Sequence, residues 1–321
     1  MAERCLITGA AGFVGACLAR RLVAERAEVH GIVRDRSNLW RLEDIRHQLH
    51  LHTLDLADAN GLTALVEEIE PDVIYHLAAH GGYPEQTDVD AMLHANVLGT
   101  WNLLRACERI DYQLFVNAGS SSEYGFKSAP MREDDLLEPN SYYAVTKATQ
   151  THLCRYVARS QQRPLVTLRL FSVYGPYEEP TRLIPTVIRN CFAGRALSLV
   201  APDTGRDFVF IDDVVDALML TDQLAQHAGE VFNIASGQQR TVREVVEQLV
   251  ALTGANVKLN WDAMTQRIWD SPHWIAEVSK ARDLLGWRAA TSLENGLTRT
   301  VEWQRTQPCR AGRPDLPERA A

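Results

Sequence analysis

The chain has 321 residues, 46% hydrophobic and 23% charged, which is enough apolar side chain for a sizeable core and excludes a disordered or fibrous polymer. Lys plus Arg number 33 against 41 Asp plus Glu, a formal charge of −8, so no basic footprint for nucleic acid or an anionic membrane surface is expected. Cys5, Cys17, Cys107, Cys154, Cys191 and Cys309 form no C-x-x-C pair and no His grouping at zinc spacing, which predicts reduced thiols and no metal cluster.

The opening MAERCLITGAAG is too short an apolar stretch for a signal peptide, and no apolar run approaches the roughly 18 residues of a membrane span. The expectation is a soluble, cytoplasmic protein. From there short β-type runs alternate with helix-period segments: RCLITG, FVGACLARRLVAER, AEVHGIVR, LHTLDL, PDVIYHLAA, MLHANVLGTWNLLRACERI, QLFVNAG, SYYAVTKATQTHLCRYVARS and LVTLRLFSVYG. That alternation predicts an α/β fold, a Rossmann-type doubly wound parallel sheet with helices on both faces. After Val173 the pattern loosens into loops, the strands LSLV and VFNIA, and helices near TVREVVEQLVALTG and VSKARDLLG. Residues 1–173 are expected to form mainly the dinucleotide-binding part and 174–306 a smaller α+β region over the sheet's C-terminal edge. LVTLRLFSVYG and DFVFIDD flank one loop-rich stretch, so the two regions are expected to share strands, and 307–321 read as a flexible tail.

Between the first strand and first helix stands Gly9-Ala10-Ala11-Gly12-Phe13-Val14-Gly15. The first glycine permits a tight turn, the second lets a pyrophosphate approach bare backbone, and the third lets helix and strand pack closely, with free N–H groups facing the anion. At the end of the second strand an acid binds the ribose hydroxyls of NAD, whereas an Arg accepts the 2′-phosphate of NADP. Here that position is Val33, followed by Arg34 and Arg36, which favours NADP, with Asp35 keeping NAD open.

Tyr143 and Lys147 lie four apart, one helical turn, so phenol and ammonium project from one face. A nearby cation favours the phenolate of a group whose ordinary pKa is about 10. Ser120, ending QLFVNAGS, is placed to hold a reacting hydroxyl or carbonyl for proton transfer.

With these motifs in view the chain resembles the extended short-chain dehydrogenase/reductases of the nucleotide-sugar epimerase, dehydratase and 4-ketoreductase group, over about residues 3–305. The resemblance rests on TGAAGFVG, YAVTK, HLAA at 76–79, NVLGTWNLL, SVYGP, GRDFVFIDDVVDA and KARDLLGW. It implies cofactor contacts from Gly9, Gly12, Phe13, Val14, Gly15, Asp55, Leu56, Leu77, Ala78, Ala79, Asn96, Tyr143 and Lys147. It implies substrate contacts from Ser121, Ser122, Arg206, Arg267 and Asp270, a nucleotide-diphosphate sugar as partner, and a homodimer through helices beginning near Ala91 and Tyr142.

Group members share hydride exchange at C4 of the hexose. Dehydratases carry a carboxylate two positions before the tyrosine of their Y-G, where this chain has Ser122, the acid having moved to Glu123. A one-residue shift along a strand reverses the face, which disfavours dehydration. Two reactions remain. The arginines tilt toward an NADPH-dependent 4-keto-6-deoxyhexose reductase, and a 4-epimerase with retained NAD is the alternative. His80, Tyr83, Glu178 and Arg182 are further candidates for the sugar pocket.

Overall fold

The computed structural model describes residues 3–83, 86–264 and 271–307. Five runs in the first half form strands, four of them buried along most of their length and the third half-exposed at the sheet edge: β1 (Arg4–Thr8), β2 (Glu28–Val33), β3 (His50–Thr53), β4 (Val73–His76) and β5 (Leu114–Ser120). They are followed by β6 (Leu165–Leu170), β7 (Ser172–Tyr174), β8 (Leu197–Ser198), β9 (Gly205–Phe210), β10 (Val231–Ile234), β11 (Gln239–Thr241) and β12 (Leu259–Asn260). Seven of these build a parallel sheet in the order β10-β6-β5-β4-β1-β2-β3. Its direction of growth reverses between β1 and β4, the switch point at which α/β sheets open a crevice beyond their strand ends.

Helix α1 (Phe13–Ala24) packs on one face, while α2 (Ala59–Ile69), α3 (Val89–Met92), α4 (Gly99–Cys107) and α5 (Tyr142–Ser160) belong to the other. Leu18 and Leu22 of α1 join the larger core with Val214 and Leu218, whereas Leu62, Val66, Leu103, Cys154 and Val157 form a second core across the sheet. Each such side chain, fully buried, stabilises the fold by roughly 1.5–3 kcal/mol. Side chains also set the helix starts: Asp58 accepts from Gly61 N at 3.0 Å, and Ser141 from Ala144 N at 3.1 Å.

Two features depart from the periodicity. The segment from Met92 to Cys107 reads as one regular helix, yet Leu93–Leu98 is a π turn. The widened turn faces Asn96 inward, where it bonds a loop across the crevice floor. Strand β10, from the C-terminal half, completes the large sheet beside β6, while β7, from the first half, joins β9 and β11 in a separate three-stranded sheet.

Candidate active site

A cleft of about 1560 Å³ runs past the C-terminal ends of the strands. Its floor at β1 is made by the glycine loop. Gly9 has φ +72°, and a Cβ there would lie 2.8 Å from the backbone of Ala78. At Gly15 a Cβ would stand 2.3 Å from the Gly9 carbonyl oxygen. Glycine is thus required at both places for strand, turn and helix to approach. Gly12 caps α1 without a side-chain bond, so the first-turn N–H groups point into the cleft unclaimed by a cap. This cradle suits a dinucleotide pyrophosphate, and Phe13, Val14, Asp55, Leu56, Leu77, Ala78 and Ala79 line the same space. Arg34, Arg36, Ser37 and Asn38 line it beyond β2, and Val33 is buried there.

Strand β5 delivers Ser120 and helix α5 delivers Tyr143 and Lys147 to the opposite wall. The phenol oxygen lies against the Gly82 backbone, 3.8 Å from where a Cβ would stand. Burial pushes the Tyr143 phenol up to about 12, and the Ser120 hydroxyl bonded to it pulls the other way. The pair therefore faces one point. Lys147 is buried, its ammonium donating to the Ala118 carbonyl at 2.6 Å and to Gln150 Oε1. Burial brings it down to about 8, with Glu123 opposing. Burial is the largest influence on the phenol, and the Lys147 ammonium is bonded to the Ala118 carbonyl and to Gln150. His76, which sequence reasoning did not assign, bonds Thr8 Oγ1 at 2.7 Å and Thr100 Oγ1 at 2.8 Å. Burial, then Lys147, holds it down at about 3, so it packs neutral beside the lysine.

Glu123 settles the orientation of the serine turn. Residues Ser121–Tyr124 form a short 3-10 helix, not a strand, and Glu123 turns into the core. Its Oε1 accepts from Ser120 N at 2.8 Å and Thr151 Oγ1 at 3.0 Å, and Oε2 from Arg169 Nε at 2.8 Å. Ser122 lines the cleft instead. Ser121 also lines it while accepting from Trp274 Nε1 at 3.1 Å. Arg206 lines it with its guanidinium 5.8 Å over the Trp274 ring. Asn96 is fully buried beneath the cleft, accepting from His80 N and donating to His80 O and Thr146 Oγ1, so it braces α5 against the loop. Arg267 and Asp270 lie outside the described residues.

His80, Tyr83, Glu178 and Arg182 all line the cleft. Glu178 is buried, with Oε2 lacking a protein partner and Arg182 Nε 3.7 Å from Oε1. Burial pushes its carboxyl up to about 8, against the pull of Arg182. Between pH 5 and 8 the unfolded chain has lost this proton while the folded chain keeps it. Stability must then fall as pH rises through that window, by an amount on the order of a few kcal/mol. Glu178→Gln is expected to flatten this slope in urea melts of ligand-free protein; identical wild-type and variant pH profiles would contradict it.

With the geometry in place, similarity to known proteins decides the family. The model of the NAD dependent epimerase/dehydratase family matches residues 5–235. The chain belongs to that family. This epimerase/dehydratase family member is 31% identical over 311 residues to an uncharacterized UDP-glucose epimerase, YtcB, of Bacillus subtilis, spanning 93% of this chain and 96% of that one. Among solved structures it superposes with TM-score 0.84 on the UDP-glucuronic acid 4-epimerase of Bacillus cereus bound to UDP-glucuronic acid and NAD (29% identity, 94% and 99% of the two chains). It superposes equally, TM-score 0.84, on MoeE5 bound to UDP-glucose and NAD (34% identity, 94% and 99%). The chain is a nicotinamide-dinucleotide-dependent enzyme of nucleotide-sugar metabolism. Both solved relatives hold NAD, so the NADP preference expected from Arg34 and Arg36 finds no support in them. Among the described residues no helix is long and apolar enough to cross a membrane.

Proposed function

We propose that the chain is a 4-epimerase of a uridine-diphosphate hexose, glucose or glucuronic acid, with NAD retained through turnover. The carrying observation is the placement of Glu123: the acid of the serine turn is bonded to Arg169, and a hydroxyl, Ser122, faces the cleft in its stead. Elimination across C5 and C6 lacks its acid at that position, whereas proton exchange at one carbon needs the Ser120–Tyr143 pair alone. The names of the relatives, and the NAD in their structures, favour epimerisation over net reduction.

Bound NAD supplies a reversible acceptor for the C4 hydrogen. Tyr143 Oη takes the proton of the C4 hydroxyl and returns it to the C4 oxygen after the sugar has turned over. Ser120 Oγ, anchored through the Ser120–Glu123 capping box, holds that oxygen in line. Lys147 places a buried positive charge beneath the cofactor side of the site, and Arg206 meets the diphosphate. In the test, purified protein is incubated with UDP-glucose or UDP-glucuronate and no added cofactor, and the sugar is followed by NMR. A C4 epimer, with NAD released on denaturation, is the expected result. The 4-ketoreductase reading is favoured by Arg34 and Arg36 beside buried Val33; an empty protein that oxidises NADPH one-for-one with a 4-keto-6-deoxy sugar would replace our proposal with it.

The same reading includes a homodimer. Leu93, Leu98 and Trp101 on one helical hairpin arm and Tyr142, Val145 and Tyr156 on α5 are large apolar side chains left exposed. Packing these helices against a second copy would cover them. Light scattering is expected to give twice the chain mass, and Tyr156→Glu with Trp101→Glu to give the single mass.

A further inference from the structure

We propose that Glu28, His30 and His50 form a binding site for a divalent transition-metal ion of the zinc class at the outer edge of the large sheet, with His52 bonded behind His30. The inference is independent of the proposed function.

Parallel pairing sets His30 opposite His50, and the two-residue period of a strand puts Glu28 and His30 on one face of β2 and His50 and His52 on the same face of β3. Linear spacing hid this, since residues 28, 30, 50 and 52 match no zinc-ligand pattern; only the pairing of β2 with β3 assembles them. Ligand atoms of Glu28, His30 and His50 all lie within 4.8 Å of one another. Around one zinc ion, with nitrogen and oxygen ligands at about 2.0–2.2 Å, such atoms stand roughly 3.3 Å apart. Side-chain rotation of Glu28 and His50, both exposed, supplies the remaining closure.

His30 is the fixed member. It is buried, and its ring stacks on those of His50 and His52 at 4.8 and 5.3 Å between centroids. Its Nε2 is 3.1 Å from Glu28 Oε1 and its Nδ1 3.1 Å from His52 Nε2. A metal on Nε2 would meet Glu28 at once. Nδ1–H could then donate to His52, the outer bond that orients most metal-bound imidazoles. Both protons are kept by this change of tautomer, because His52 moves its own to Nδ1.

The site lies three residues before the end of β2, about 10 Å along the strand from the cleft. It is placed to clamp the four-residue edge strand β3 to its neighbour, not to act on the sugar. Zinc chloride titrated calorimetrically into untagged full-length protein is expected to bind one ion per chain and to raise the melting temperature. Cobalt(II) chloride should give visible absorption of a nitrogen-and-oxygen site. His50→Ala removes an exposed ligand and leaves His30 in place; it should weaken zinc binding roughly 10-fold or more and abolish the thermal shift, with metal-free melting and sugar turnover unchanged. Glu28→Gln should weaken it likewise. Unaltered zinc affinity in His50→Ala, or no saturable binding to the wild-type chain, overturns the proposal.

Discussion

Tyr143→Phe is expected to lower kcat by about 10³-fold, within the range for loss of a positioned acid–base group, while KM for the nucleotide sugar and the content of bound NAD stay near wild type. The phenylalanine ring fills the same volume on α5, so the cleft keeps its shape and only the phenolic oxygen leaves. That oxygen lies beside Gly82 and is bonded to the Ser120 hydroxyl. Because burial holds the phenol up at about 12 in the ligand-free chain, wild-type kcat should climb with pH as a larger fraction reaches the phenolate. The residual rate of Tyr143→Phe should lack that climb. Ser120→Ala should lose less, about 10²-fold, and the double variant little more than Tyr143→Phe alone, since the two act as a unit. Retention of a tenth of wild-type kcat in Tyr143→Phe would remove the phenol from the reaction and with it the proposed chemistry.

How much of this was legible beforehand depends on range. The glycine loop, the doubly wound sheet and the i,i+4 pair of Tyr143 and Lys147 are local patterns, and local geometry enforces them. Glu123 needed a longer view. Strand alternation alone turned it away from the cleft, which is its true direction, but for a reason the sequence could not display: the chain leaves β5 for a 3-10 turn, and the partner that draws Glu123 inward, Arg169, is 46 residues on. A buried arginine in LVTLRLF was visible as an oddity inside an apolar strand, and that is the signal that could have found the pair. The π turn at Leu93–Leu98 escaped because nothing local marks it, and its inward residue Asn96 is bonded to His80, 16 residues before it.

Arg169→Met is expected to cost about 3–5 kcal/mol of folding stability, the range for stripping one partner from a buried ion pair. For a chain whose whole stability is of order 5–15 kcal/mol, that is a large share. Arg169 and Glu123 have side chains 1% and 0% exposed, so neither charge can turn to water when the other is lost. The guanidinium also lies 4.6 Å over the Tyr124 ring, whose hydroxyl donates to Asn233 Oδ1 at 2.7 Å, so the pair locks β6, the serine turn and β10 together. Methionine replaces most of that volume but leaves Glu123 as an unpaired buried carboxylate. Glu123→Gln in the same chain removes the charge while its amide oxygen can still accept from Ser120 N, and should restore most of the loss. Urea denaturation of the wild type, both single variants and the double variant gives the coupling directly. A loss below about 1 kcal/mol in Arg169→Met, the value of a surface pair, would mean that water reaches Glu123. The acid would then be free to turn toward the cleft, and dehydration would return as a reaction open to this site.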